Sequence, residues 1–201
     1  MMRQQPDLRV QKTQRLIKHT FLQLMKEKGY RNITITDISK LAQINRKTFY
    51  FHYESIEALY EEISDDYLAL LDFSTLLSTL EIDLEHSDFL STAVSILERV
   101  NLQKEPLKIL MNDYTNSQFN EKLKYFLSET FTNTMKLRDY AAINGFPFSL
   151  VQNIYCNLFF EIIRWWINQS DISSRRAVEI MLSMFSDNTL DAMGVQLSHG
   201  S

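Results

Sequence analysis

The chain has 201 residues, of which 45% are apolar and 12% aromatic, so it has enough apolar side chains to bury a core. This composition excludes the disordered, collagen-like and disulfide-stapled classes of protein. Cys156 is the only cysteine, and residues 1–15 lack the apolar core of a signal peptide. We therefore expect a cytoplasmic protein with no intrachain disulfide and no membrane span.

The charged residues are distributed unevenly along the chain, although the net charge is only −4. Residues 1–56 carry 11 Lys and Arg against 4 Asp and Glu, a balance of +7, whereas residues 57–201 carry 10 against 21, a balance of −11. A small basic segment joined to a larger acidic one is typical of a protein in which the basic segment binds phosphate groups and the acidic one does not. On charge alone, uneven solvation of the surface remains the alternative.

Apolar residues recur at three- and four-residue spacing nearly throughout, with only three prolines and four glycines. No alternating strand pattern persists. The sequence therefore predicts an all-α fold of about nine helices. The first helix carries Ile17, Phe21 and Leu24 on one side and basic residues elsewhere, and Gly29 is placed to end it.

A short second helix is predicted after the first. Thr34 and Asp37 have the spacing of a capping box, although Thr36 competes as the N-cap. The residues expected to point inward from this helix are Ile38, Leu41 and Ala42.

A tight turn and another short helix follow. Asn45 is either a turn residue or the N-cap of this helix, and Phe49 and Tyr53, four residues apart, can share its inward face. The other side chains then point outward or sideways; they are Arg46, Lys47, Thr48, Tyr50 and His52.

Further helices are predicted along the rest of the chain. One begins after Ser55, and the others span residues 89–100, 106–111, 119–143, 148–168 and 173–187. Residues 81–88 are expected to form a solvated loop that closes with a helix cap at Ser87 or Asp88. A cation site there is the alternative, but the spacing of the acidic residues fits no defined calcium loop.

Two short helices joined by a tight turn and preceded by a longer helix fit the helix-turn-helix, whose second helix enters the major groove of DNA. The residues that carry a closer resemblance are Lys12–Thr13, Phe21–Leu22, Glu27–Gly29, Ile33–Ile38 and Ile44–Tyr53. Over about residues 9–65 they resemble the DNA-binding domain of the tetracycline-repressor (TetR) family. The resemblance implies a homodimeric repressor, with a helix-turn-helix domain at residues 1–55 and a helical effector-binding and dimerisation domain at residues 56–201.

The same resemblance implies which residues contact double-stranded operator DNA. Thr36 would touch a backbone phosphate, and Tyr50 and His52 would clamp phosphates. The side chains assigned to the major groove are Arg46, Lys47 and Thr48, with Asn45 as an additional contact. Without the surrounding motif, packing of Tyr50 and His52 against the first helix would be the preferred interpretation.

Two residues depart from the family pattern. Ile56 stands where the family commonly has a phosphate-binding lysine, which puts one phosphate contact in doubt. Gln43 replaces the usual turn glycine, so either Gln43 adopts a left-handed conformation or the turn adjusts, at a cost of about 1 kcal/mol.

The resemblance also implies a small effector, and the aromatic and methionine residues of the later helices suggest an apolar or aromatic one. The candidate pocket residues, for which ordinary core is the alternative, are Met111, Tyr114, Phe126, Phe131, Met135 and Phe159. The candidates for a four-helix dimer seam, to which each copy contributes its last two helices, are Ile163, Trp166, Ala177, Met181 and Met184. Periodicity does not decide which side chains face a pocket and which face a partner.

The sequence contains no glycine-rich phosphate loop, nucleophile elbow or paired-cysteine zinc site, so we predict no enzyme, no metal site and no cofactor. Cys156 lies in an apolar helix and is interpreted as an inert core thiol. The main alternative function is a helical protein-interaction module whose basic segment docks on an acidic protein. A small-molecule-binding enzyme is the more remote alternative.

Overall fold

The computed structural model describes residues 8–70, 86–137, 142–143 and 146–184, with the side chains at 86–90, 92, 134–137, 142–143, 155, 181–182 and 184 outside that description. The chain divides into two compact units. The head unit comprises Met1–Tyr67 and Ile109–Phe119, and the body unit comprises Leu68–Lys108 and Asn120–Ser201. The predicted domain boundary between residues 55 and 56 stays a prediction.

The head unit contains the three predicted N-terminal helices and the helix that follows them. In chain order they are α1 (Leu8–Lys28), a 3-10 turn (Tyr30–Asn32), α2 (Ile35–Leu41), α3 (Arg46–His52) and α4 (Ile56–Leu68). The Ser55 hydroxyl accepts a hydrogen bond from the Ala58 amide at 3.1 Å, so Ser55 stabilises the start of α4 as expected. Helix α2 packs against both α1 and α3.

The core of the head unit is formed by the predicted apolar faces of its helices. Fully buried side chains come from all four helices and include Ile17, Phe21, Ile38, Phe49 and Leu59. The inward placement of Leu41 was wrong, because the side chain is 43% exposed. Ser39 is buried instead, since the face of α2 that meets its neighbours runs through residues 38, 39 and 42.

Helices α1 and α4 contact each other through aromatic rings and through ion pairs. The Phe21 and Tyr60 rings meet edge-on at 6.3 Å between centroids, and burial raises the pKa of Tyr60 to about 12. The Lys18 ammonium pairs with the Glu62 carboxylate at 2.7 Å and also with Asp66. Burial alone would lower the pKa of Lys18, but the two carboxylates outweigh it and the pKa is raised.

The later elements run from the body unit into residues 109–119 of the head unit and back. They are α5 (His86–Asn101), α6 (Lys104–Asn112), α7 (Gln118–Leu137), β1 (Ala142–Ile143), β2 (Phe146–Pro147), α8 (Phe148–Ile167) and α9 (Ser174–Met184). Nine α-helices and one two-residue ladder thus occupy the described ranges, and the predicted all-α class is confirmed.

Two predicted helix boundaries were wrong. Helix α5 begins at His86, so residues 86–88 are helical rather than part of a loop, and residues 81–85 lie outside the described residues. Helix α7 ends at Leu137, and Ile143 pairs with Phe146 in the antiparallel ladder instead of extending the helix. Pro147 disfavours the helical conformation at Phe146, which explains the extended pairing there.

The body unit buries its core between helices. Helix α9 packs on α5, and α8 packs against both short strands. The Gln152 amide of α8 donates to the Ser128 hydroxyl of α7 at 2.8 Å. In the part of the chain that the structure describes, no helix has the length and apolarity needed to cross a membrane.

Candidate nucleic-acid interface

Helix α2 begins with the predicted capping box. The Asp37 amide donates to the Thr34 hydroxyl at 3.2 Å, and the Thr34 amide donates to the Asp37 carboxylate at 2.8 Å. Lys28, at the end of α1, pairs with the same carboxylate at 2.7 Å. These contacts, Lys28 foremost and Thr34 next, lower the pKa of Asp37 from 3.8 to about 2. Thr34 rather than Thr36 is therefore the N-cap, and Thr36 is left exposed on the first turn.

The turn between α2 and α3 is closed by a residue in the left-handed conformation. Gln43 has φ 53°, and within the described ranges it is the one residue other than glycine with a positive φ. The Ile44 amide donates to the Ser39 carbonyl at 3.0 Å, and the Gln43 amide donates to the Lys40 carbonyl at 3.3 Å. These two bonds form a Schellman motif, in which the left-handed position is usually glycine. Of the two outcomes expected for Gln43, the left-handed conformation is therefore confirmed, and the turn does not adjust to avoid it.

Helix α3 starts at Asn45, which is its N-cap. The Asn45 side-chain oxygen accepts from the Thr48 amide at 2.7 Å and from the Thr48 hydroxyl at 3.0 Å. Of the two interpretations left open for Asn45, the structure selects the cap. A side-chain oxygen engaged in this way fixes the first turn of α3 and the rotamer of Thr48.

The inward face of α3 anchors it to the head unit. Phe49 is fully buried and Tyr53 is 4% exposed, as predicted. The Tyr53 hydroxyl lies 3.3 Å from the Glu62 carboxylate of α4, and burial, followed by Glu62, raises the pKa of Tyr53. Tyr53 therefore stays protonated and ties the end of α3 to α4.

The outward face of α3 carries the predicted DNA contacts. Arg46, Lys47 and Tyr50 are exposed, whereas Thr48 and His52 are half-buried. The Tyr50 ring meets Phe49 edge-on at 5.8 Å, so this side chain both packs on the head unit and keeps 49% of its surface accessible. The structure thus brings Asn45, Arg46, Lys47, Thr48, Tyr50 and His52 together on one short helix, with Thr36 on the helix before it.

One exposed residue of α3 was missed by the sequence analysis. Phe51 is 76% exposed. It follows Lys47 by four residues and Thr48 by three, so it shares their side of the helix. The same i+3 and i+4 spacing was available in the sequence, but Phe51 was assigned to neither face of the helix.

A loop more than 80 residues away completes the head unit, and it too was missed. The Asp113 carboxylate accepts from the Tyr30 amide at 3.0 Å and from the Thr115 amide at 2.8 Å. Gly29, with φ 74°, lies so close to Thr115 that a Cβ at Gly29 would sit 3.0 Å from its methyl group. The Phe119 amide donates to the Tyr60 hydroxyl at 3.2 Å. We call residues 113–119 the clamp; its Asp-x-Thr turn is visible in the sequence, but its partners are not.

The candidate pocket residues do not form one group. Tyr114, in the clamp, is 98% exposed and therefore cannot line an enclosed pocket within one chain, which corrects its assignment. Met111 is buried in the head unit. In the body unit Phe131 is buried and Phe126 and Phe159 are half-buried, while the Met135 side chain lies outside the described residues.

The candidate seam residues lie in the interior of the body unit. Ile163, Trp166 and Ala177 are 2%, 1% and 1% exposed within a single chain. The Trp166 ring nitrogen donates to the Ile172 carbonyl at 3.3 Å, and Lys104 lies over the ring at 4.5 Å. The side chains of Met181 and Met184 lie outside the described residues.

The exposed apolar residues of α8 are different ones from those predicted for the seam. They are Leu150, Ile154 and Trp165, at 46%, 41% and 38%. Their separations of four and eleven residues place them along one side of the helix.

Cys156 is buried in α8, and burial raises the pKa of its thiol. Such a thiol is less readily ionised than an exposed one, as expected of a core side chain. Across the described residues, no three His, Cys, Asp or Glu side chains lie close enough together to hold a metal ion.

Residues 20–63 match the family model described as bacterial regulatory proteins, tetR family. This segment covers α2, α3, most of α4 and the C-terminal part of α1 from Thr20 onward. No curated protein sequence matches the chain.

Solved structures with similar folds extend the likeness to nearly the whole chain. A TetR transcriptional regulator from Streptococcus agalactiae has a TM-score of 0.64 at 24% identity, over 89% of this chain and 96% of that one. A TetR-family transcriptional regulator from Bordetella parapertussis has a TM-score of 0.58 at 15% identity, over 89% and 96%. The fatty acid degradation regulator FadR from Bacillus halodurans has a TM-score of 0.57 at 13% identity, over 91% and 96%. At these identities the likeness establishes the fold.

Proposed function

We propose that this chain, whose residues 20–63 match the tetR family of bacterial regulatory proteins, is a DNA-binding transcription regulator. In this proposal it is a cytoplasmic, homodimeric repressor that a small-molecule effector releases from a near-palindromic operator. The observation that supports the proposal most directly is the outward face of α3. There two exposed cations, a tyrosine and a histidine lie beside a capped first turn, on a helix anchored by Phe49 and Tyr53. Helices of this kind place donors against base edges and phosphates.

The roles we propose follow from where the side chains lie. Arg46, Lys47 and Thr48 face the major groove at the first turn of α3, and Tyr50 and His52 contact phosphates farther along. Thr36, exposed at the start of α2, contacts a phosphate on the other side of the groove. Asn45 acts first as the cap that orients Thr48, and its contact with DNA is secondary to that.

A homodimer would place two copies of α3 in successive major grooves about 34–36 Å apart. We propose that the exposed side of α8 supplies the seam, because Leu150, Ile154 and Trp165 offer apolar surface to a second copy. Ile163, Trp166 and Ala177 then support that surface from within the chain. The proposed effector is a small apolar or aromatic molecule held in the body unit, where Phe126, Phe131 and Phe159 lie. The proposal includes no enzymatic activity.

The experiment that tests DNA recognition is selection of bound duplexes from a random pool. We expect wild-type protein to recover one near-palindromic sequence and the Lys47→Ala/Tyr50→Ala variant to recover none. The matched control is Arg99→Ala/Tyr125→Ala, which removes one exposed cation and one exposed tyrosine from the body unit and should select the wild-type sequence.

Binding without sequence preference would contradict the proposal and favour the protein-interaction module. A second measurement separates these two functions. For DNA, the logarithm of the association constant should fall linearly with the logarithm of salt concentration, with a slope of about −0.9 per phosphate neutralised. Release by an effector is tested by calorimetry of operator binding with each candidate ligand, and equal affinity throughout would contradict that part.

A further inference from the structure

The most exposed phenylalanine in the described part of the chain lies on the outward face of α3. Phe51 keeps 76% of its surface accessible, and its ring approaches the His52 ring edge-on at 5.1 Å between centroids. The buried rings of the same helix, Phe49 and Tyr53, already anchor α3 to the head unit. Packing within one chain therefore gives no reason for an apolar side chain at Phe51, where any helix-forming polar residue would serve.

The surroundings of Phe51 indicate what covers it. Lys47 is exposed one turn before it on the same side of α3, and Arg46 is exposed beside Lys47. The seven residues of α3 include these two cations and no carboxylate. An exposed apolar ring with two exposed cations earlier on the same helix is suited to a polyanion that carries apolar groups, and poorly suited to a neutral apolar protein surface.

The major groove of DNA presents one purely apolar group, the 5-methyl of thymine. We propose that Phe51 covers a thymine 5-methyl group in each half of the operator, and so determines specificity at that base pair. This inference rests on the proposed function. In this inference α3 recognises one base by the apolar contact of Phe51, beside the hydrogen bonds that we propose for Arg46, Lys47 and Thr48.

The test replaces each thymine of the selected operator in turn by deoxyuridine, which removes only the 5-methyl group. For wild-type protein we expect one thymine per half-site at which the replacement weakens binding about fourfold, because one buried methyl group is lost. Replacing this thymine in both half-sites should weaken binding about sixteenfold, because two methyl groups are lost. The Phe51→Ala protein should bind the thymine and deoxyuridine operators equally well at that position.

Two further variants keep the result interpretable. Phe51→Leu retains an apolar side chain and should keep part of the discrimination. Leu102→Ala removes an apolar side chain that is 81% exposed in the body unit, and it should discriminate as the wild type does. Because Phe51 is exposed, all three variants should keep the wild-type helical circular dichroism, and loss of it in Phe51→Ala would show a structural role and overturn the inference.

The remaining outcomes separate this inference from the function on which it rests. If wild-type and Phe51→Ala proteins respond alike to every replacement, Phe51 reads no methyl group, although the operator and the proposed function stand. If no operator is selected at all, the proposed function fails and this inference with it.

Discussion

Two single residues determine how helix α3 is positioned, and both act on the backbone. Gln43 holds the left-handed position of the turn, and Asn45 caps the helix that follows. Neither role depends on a long-range contact. The hydrogen bonds that define the turn lie within residues 39–48. Because Gln43 and Asn45 are exposed, substitutions at these two positions should change stability without changing the core.

We expect Gln43→Gly to stabilise the protein by about 0.5–1 kcal/mol, because glycine adopts a positive φ without the steric cost paid by other residues. Lys40→Gly, three residues earlier in α2, should destabilise it by about 1 kcal/mol. Urea denaturation of both variants checks the pair. Destabilisation by Gln43→Gly would show that the Gln43 side chain contributes more than its backbone strain costs.

Asp37 gives the start of α2 a dependence on pH. Its pKa is lowered in the folded protein, so its stabilising contribution is complete above 3.8 and is lost as the pH falls towards about 2. We expect the urea midpoint of the wild type to fall across this window and the midpoint of Asp37→Asn to fall less. Parallel curves for the two proteins would contradict the capping and ion-pair contacts described for Asp37.

At the scale of elements, α8 shows why a helix with apolar residues nearly all round cannot be oriented from its sequence. Its buried side includes Ile163 and Trp166, and its exposed side includes Leu150, Ile154 and Trp165. Both sides have helical spacing, so periodicity predicts the helix but not which side meets the core. The choice depends on neighbours such as α7 and on the partners of Trp166.

The two sides of α8 should respond differently to substitution. Trp166→Ala removes a fully buried ring and should destabilise the protein by about 3–5 kcal/mol. Ile154→Arg should leave the helical content unchanged but shift the protein from dimer to monomer in sedimentation velocity, because it places a charge in the proposed seam. A stable dimer of the Ile154→Arg variant would show that the dimer interface does not include this side of α8.

The predictable part of the molecule is the part fixed by local sequence. The capping box at Thr34, the inward pair Phe49 and Tyr53, and the helical class all follow from patterns within a few residues. The end of α7 at Leu137 was missed because the apolar spacing runs on into residues that pair as strands. Phe51 was assigned to neither face of α3, although its spacing from Lys47 and Thr48 places it on their side of the helix.

At the scale of the whole molecule, the clamp joins residues that are far apart in the chain. The bond from the Tyr30 amide to Asp113 spans 83 residues. Asp113→Ala should destabilise the head unit by about 1–3 kcal/mol, because it leaves the Tyr30 amide without its acceptor. Hydrogen exchange at Tyr30 should quicken in this variant, whereas Glu98→Ala, which removes an exposed carboxylate of α5, should leave it unchanged. Unchanged exchange in Asp113→Ala would show that the bond is dispensable.

The clamp has a consequence for the order in which the protein is made. Residues 20–63, which carry the proposed DNA-binding face, leave the ribosome well before Asp113 and Phe119 do. Until those two residues emerge, the Tyr30 amide and the Tyr60 hydroxyl have water in place of their final partners. This segment therefore completes its hydrogen bonds only after the clamp, which is synthesised later, has emerged. A nascent chain stalled before residue 113 should present a less protected head unit to proteases than the finished protein does.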